Sequence, residues 1–171
     1  MCKDKINMKP GKLLDKIGVK EKSILLDFFV TYSRIEYALK RNGYTTTNDG
    51  KAEADWTKFI KDNKEKFNSQ RNVDLESAVD YLLSFPAQQQ IISNGELDFV
   101  EHSSTKEGPS LYRLYHCIRI ARNNLFHGGK YPNKPVEDLS RNTILIQNCL
   151  TCLEEIIELN QKIKNSFWET E

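Results

Sequence analysis

Leu139, Ile146, Cys149, Leu153, Ile156 and Ile163 recur along the last third of the chain with a period near 3.5 residues. That spacing constrains the fold more than any other feature, because only an α-helix returns side chains to one side at such an interval. A helix from Leu139 to Lys164 would be about 40 Å long at 1.5 Å per residue. It would cross the whole domain and act as the spine of a helical bundle.

Earlier stretches supply partners for that spine. Between Ser23 and Asn42, Leu25, Phe28, Tyr32, Ile35 and Leu39 alternate steps of three and four, and Asn42-Gly43 stops the helix. Glu36 lies beside this stripe; a surface pair with Lys40 four residues on is expected, and a turn into a polar pocket between helices is the alternative. Trp56, Phe59, Ile60 and Phe67 mark a second helix, and Leu75, Ala78, Val79, Leu82 and Leu83 a third that ends before Pro86. Gly108-Pro109-Ser110 opens another, running to about Phe126 and closed by Gly128 and Gly129. Tyr44 to Lys51 reads as an exposed polar loop. Ala87 to Ser104, with Gln88-Gln89-Gln90, Ile91-Ile92 and an Asn94-Gly95 turn, fits a short hairpin or an irregular connection. The prediction is an all-α, antiparallel up-and-down bundle of about five helices. One domain spans 1–171, with a lead-in over 1–22, the bundle core over 23–164 and a tail over 165–171.

Twenty-five basic and 24 acidic residues leave a net charge of +1, so no global field draws the chain to nucleic acid or an anionic membrane. A local patch is another matter. From Gly108 to Val136 there is no Asp or Glu, whereas Arg113, Arg119, Arg122, Lys130 and Lys134 all fall there. No stretch has the length and apolarity of a signal peptide or a membrane span, which predicts a cytoplasmic protein without a membrane partner. Cys2, Cys117, Cys149 and Cys152 lack the second Cys or His pair of a zinc set and read as small core residues.

The acid-free window contains Arg122-Asn123-Asn124-Leu125-Phe126-His127-Gly128-Gly129-Lys130. At about 100° per residue, Leu111, Leu114, Ile118, Ala121 and Leu125 form a stripe toward the core with Arg122 at its edge. His116, Asn123 and His127 line up on the opposite side, with Arg119 between that line and Arg122. Arg122 and His127 would then point about 140° apart. Either the helix unwinds at Gly128 or a second copy supplies the missing half of a site. Imidazole and guanidinium together suit cleavage of RNA by its own 2′-hydroxyl: imidazole exchanges protons near neutral pH, and guanidinium holds charge growing on phosphate. Cations placed only to favour the dipole of a helix C-terminus remain the plain alternative. No cluster of carboxylates suggests a two-metal route, so neither metal nor cofactor is expected.

The Arg-polar-x-x-x-His segment Arg122 to His127, late in the penultimate predicted helix, resembles the signature of the HEPN superfamily. The continuation His127-Gly128-Gly129-Lys130 and the opening helix Phe28 to Lys40 resemble a prokaryotic branch of it. The resemblance implies a dimerising helical bundle and, for active members, a metal-independent endoribonuclease in toxin-antitoxin or phage-defence settings. It implies roles for Arg122 in stabilising phosphate, for Asn123 in positioning it or the histidine, and for His127 as acid or base. Lys130, Arg119 and His116 are candidate RNA contacts. Expected partners are RNA, a second copy meeting along Ser110 to Phe126, and an antitoxin of nucleotidyltransferase-like type. Some relatives of this kind only bind nucleotides or serve assembly. With neither aromatic-rich strands nor a named RNA-binding motif, modest sequence preference at most is expected.

Overall fold

The computed structural model describes residues 22–127 and 139–169. Cys2, Gly128, Gly129, Lys130 and Lys134, and with them most of the expected lead-in, lie outside the described residues. Among the described residues six α-helices make the structure mostly helical: α1 (Lys22–Arg41), α2 (Trp56–Asn63), α3 (Val73–Ser84), α4 (Ser110–Phe126), α5 (Leu139–Glu158) and α6 (Gln161–Trp168). Two antiparallel hairpins stand beside them, β1 (Thr45–Asn48) with β2 (Lys51–Ala54) and β3 (Gln89–Ser93) with β4 (Glu96–Val100). The all-α expectation is corrected to that extent.

Both hairpins have a physical cause at their turns. Asp49-Gly50 and Asn94-Gly95 occupy positive φ, at 50° and 76° and at 52° and 84°. Paired positive φ in a two-residue loop matches the twist of adjoining strands. The segment expected to be a polar loop is thus a hairpin whose side chains are almost all exposed. It carries no alternation of apolar residues, so the turn was its one sequence signal.

The helices begin and end where their side chains can replace missing backbone partners. Asp55 accepts from Lys58 N at 2.9 Å and Asn72 from Leu75 N at 2.8 Å, capping α2 and α3. Asn160 does the same for Lys162 N and Ile163 N. That cap explains why the predicted continuous helix to Lys164 is two helices, α5 and α6. The Asn160 side chain captures the amides of a new first turn, while Leu159 N bonds Ile156 O in a tightened last turn.

One connected hydrophobic cluster draws on all six helices. The spine α5 packs against α1 and α3, and α1 also meets α6. Phe28, Ile35, Leu39, Leu114, Ile118, Leu153 and Ile156 are fully buried, each contributing roughly 1.5–3 kcal/mol of transfer free energy. Cys117, Cys149 and Cys152 are buried and outside any disulfide, as expected of core residues. Burial pushes the Cys117 thiol up to about 11 and the Cys152 thiol up to about 12, which leaves neither reactive. No helix among the described residues is long and apolar enough to cross a membrane.

Candidate functional site

Helix α4 has two working sides. Leu111, Leu114, Ile118 and Ala121 are buried as the wheel required, and Leu125 is partly buried against the core. The other side faces β3 and the short 3-10 turn Ser103–Thr105. Between them lies a pocket of about 240 Å³ lined by Gln89, Gln90, His102, His116, Arg119, Ile120, Asn123, Asn124 and His127. His116, Arg119, Asn123 and His127, all singled out from sequence, therefore share one cavity.

Arg122 does not line that cavity. Its guanidinium lies 4.7 Å from the Phe126 ring centroid and 5.6 Å from that of Tyr32. Such cation–π contacts are worth about 0.5–2 kcal/mol. Its Nη1 donates to Asn123 Oδ1 at 3.0 Å, while its buried Nε has no partner. Asn123 consequently bridges the two sides of α4, with its amide at the pocket wall and its oxygen on Arg122. The helix persists through this region, since His127 N bonds Asn123 O at 2.8 Å. Arg122 and His127 thus remain on separate sides within one chain. His127 itself is exposed at the helix end.

Packing fixes the pocket floor. His116 meets Tyr112 edge-on at 4.4 Å and lies nearly parallel to His102, with ring centroids 5.7 Å apart and planes 7° apart. Burial, then the Arg119 charge and His102, pushes the His116 imidazole down to about 4. At neutral pH it is therefore uncharged and suits hydrogen bonding or stacking better than phosphate neutralisation. As a candidate RNA contact His116 would therefore act without charge, whereas Arg119, exposed at the rim, can meet a phosphate. His102 Nδ1 accepts from Ser104 N at 3.1 Å, which leaves Nε2 to carry the proton of a neutral ring. Asn124, buried, donates from Nδ2 to Gln88 O at 2.8 Å and ties α4 to the residue preceding β3.

Sequence reasoning missed His102, Gln89, Gln90 and Asn124. The run Gln88-Gln89-Gln90 before an Asn-Gly turn was the available signal, but nothing local indicated that the hairpin would lie against α4. Glu36, expected to pair with Lys40, instead accepts from Trp56 Nε1 at 3.4 Å. It turns toward a buried aromatic group in which Trp56 stacks on Tyr115 at 5.2 Å and meets Tyr32 at 5.5 Å. Burial raises both tyrosine hydroxyls above their ordinary value, so both stay protonated at neutral pH.

A second pocket, of about 560 Å³, opens near α3, α5 and α6 and is lined in part by Arg71, Asp74, Glu154, Glu155, Glu158 and Trp168. Its carboxylates would repel a polyanion. No carboxylate is among the described residues lining the pocket beside His127. Among the described residues no group of three His, Cys, Asp or Glu side chains is placed to hold a metal ion. No family model matches the chain, nor does any curated protein or solved structure.

Proposed function

We propose that this protein is a metal-independent endoribonuclease of the HEPN type, an up-and-down helical bundle acting as a homodimer. The observation that carries the reading is the pairing of Arg122 with Asn123, whose amide shares with His127 a pocket that has no carboxylate among its described lining residues. In this mechanism the 2′-hydroxyl attacks the adjacent phosphorus and the 5′-oxygen leaves. His127 takes or returns the proton, and Arg122 stabilises charge on the non-bridging oxygens. The products are a 2′,3′-cyclic phosphate, or its 3′-phosphate, and a 5′-hydroxyl. Because Arg122 stands off the pocket within one chain, a second copy across a two-fold axis supplies the missing half. A cytoplasmic toxin-antitoxin or phage-defence role, with a nucleotidyltransferase-like antitoxin as partner, accompanies this reading through the resemblance of the motif.

Incubation of pure protein with a mixed RNA pool in EDTA tests it. Cutting by wild type and none by His127→Ala is the expected result. RNA bound but uncut by both would mark a nucleotide-binding or assembly module instead. RNA neither bound nor cut would leave Arg122 and His127 as cations at a helix end.

A further inference from the structure

We infer that the pocket between α4 and the β3–β4 hairpin is a nucleobase site, taking one unpaired adenine of single-stranded RNA on the His102–His116 pair and reading it through the Gln90 amide. The inference rests on the ribonuclease reading for its substrate class and extends it to base preference.

The chemistry of the cavity asks for a flat, uncharged ligand with hydrogen-bonding edges. Its walls offer three imidazoles and four primary amides, while Arg119 is the only strong base among the described lining residues. His116 is held neutral by burial and by Arg119. The His102 and His116 imidazoles are almost parallel, 5.7 Å between centroids. Two stacking gaps of about 3.5 Å would be needed to insert a ring between them, so a base rests against the pair instead of entering it. Stacking on flat side chains is how single-stranded bases are commonly held. A single amide presents one donor and one acceptor side by side, and adenine presents the complementary pair at N6 and N7.

The position of the cavity adds the second half of the argument. Asn123 and His127 line the same pocket as Gln90 and His102. A phosphate at His127 therefore places a neighbouring base within reach of the imidazole pair. The hairpin wall is secured by the Asn124 bond to Gln88 O at 2.8 Å. An enzyme needing only backbone contacts has no use for such a wall.

The test uses the full chain and uncleavable 2′-O-methyl uridine hexamers carrying a single central A, G, C or U, with affinity read by fluorescence anisotropy. Wild type should bind the A hexamer about tenfold more tightly than the all-U hexamer. Gln90→Ala should reduce the preference for A over G, and His102→Ala should weaken binding of every central purine. Because His102 also accepts from Ser104 N, Gln90→Ala on the hairpin strand keeps the test decisive if the histidine variant misfolds. Equal affinity of wild type for all four hexamers, or unchanged discrimination in a folded Gln90→Ala protein, overturns the proposal. Parallel digestion of unmodified RNA separates the two readings. Cutting without base discrimination removes the nucleobase site and keeps the ribonuclease; discrimination without cutting does the reverse.

Discussion

The pocket beside His127 encloses about 240 Å³ and the one beside Arg71 about 560 Å³, yet the smaller is the better candidate for RNA. The larger is lined by Asp74, Glu154, Glu155 and Glu158, with Arg71 already committed to Glu155 through Nη1 at 3.1 and 3.0 Å. The smaller offers imidazoles, amides and Arg119 with no acid among its described lining residues. Charge sign decides between them, since a phosphate chain approaching four carboxylates loses more than extra volume returns. The same contrast separates roles in folding. Around Arg71 the ionic contacts hold a carboxylate that is 8% exposed, whereas Arg122 keeps a buried Nε without a partner. An unmade hydrogen bond at a buried guanidinium nitrogen costs stability, which suits a group kept for a ligand on the side of α4 away from the pocket.

The largest expected effect breaks the comparison if it fails. Arg122→Ala and His127→Ala should each lower cleavage by about 10²- to 10⁴-fold, measured by single-turnover assays. The double variant should lose little more than the worse single one, because both groups serve one transition state. Glu154→Gln in the acidic pocket should leave the rate within twofold of wild type, a range of about 0.4 kcal/mol. A rate loss there equal to that of His127→Ala would transfer the site to the other pocket. Mixing the two inactive variants sharpens the geometry: recovery means Arg122 of one protomer works with His127 of its partner.

The stability of the two regions should diverge next. Arg71→Ala leaves the buried Glu155 carboxylate without its ion-pair partner and should cost about 1–3 kcal/mol in denaturant unfolding, with cleavage unchanged. Asn124→Ala removes the bond to Gln88 O, whose residue is exposed to solvent, and should cost about 0.5–1.5 kcal/mol. It should also impair RNA binding, because the hairpin wall loses its tie to α4. Equal effects of the two substitutions on RNA binding would mean the hairpin wall is not part of the site.

How much of this was legible beforehand follows from the range of the interactions. The core face of α4 could be read from Leu111, Leu114, Ile118 and Ala121, because helical periodicity is local and burial follows it. The alignment of His116, Asn123 and His127 was readable for the same reason. The opposing wall was not: Gln90 and His102 reach the cavity through tertiary packing that no nearby residue encodes. Glu36 illustrates the limit from the other direction, since the i+4 rule favoured Lys40 while Trp56, brought in by α2, offered the indole N–H. Asn160 shows a legible signal overlooked. An asparagine following Leu159 competes for the next amides, yet the period of the seam continued smoothly past it.

A pH dependence sharpens the contrast further. The His116 imidazole, facing Tyr112, Tyr115, His102 and Arg119, is pushed down to about 4 from an ordinary value of 6.5. Between those values the unfolded chain binds a proton that the folded chain refuses. Stability linked to this group is therefore complete above about 6.5, declines as pH falls to about 4 and is constant below. Thermal melts of His116→Gln should show a shallower decline over that window than wild type. An identical slope would mean that the folded state accepts the proton at His116 without penalty.

The smallest effect concerns how firmly the hairpin wall is set. Gly95 adopts φ +84°, and a Cβ built there would meet no atom within 4 Å. Gly95→Ala thus adds no clash, and its entire cost is the left-handed backbone imposed on an L residue, about 1–2 kcal/mol. That cost falls on closing the β3–β4 turn and not on the helical core, so the global melting temperature should change little. Hydrogen exchange of the Ile91 and Asp98 amides, which sit on paired residues of the two strands, should quicken by about tenfold, the factor expected from 1.4 kcal/mol. If the wall positions a base, the same variant should also lose part of its preference for A over U while folding normally. Faster exchange with an unaltered preference would mean that a loosened hairpin still presents Gln90 correctly, and that the α4 side of the pocket alone sets the discrimination.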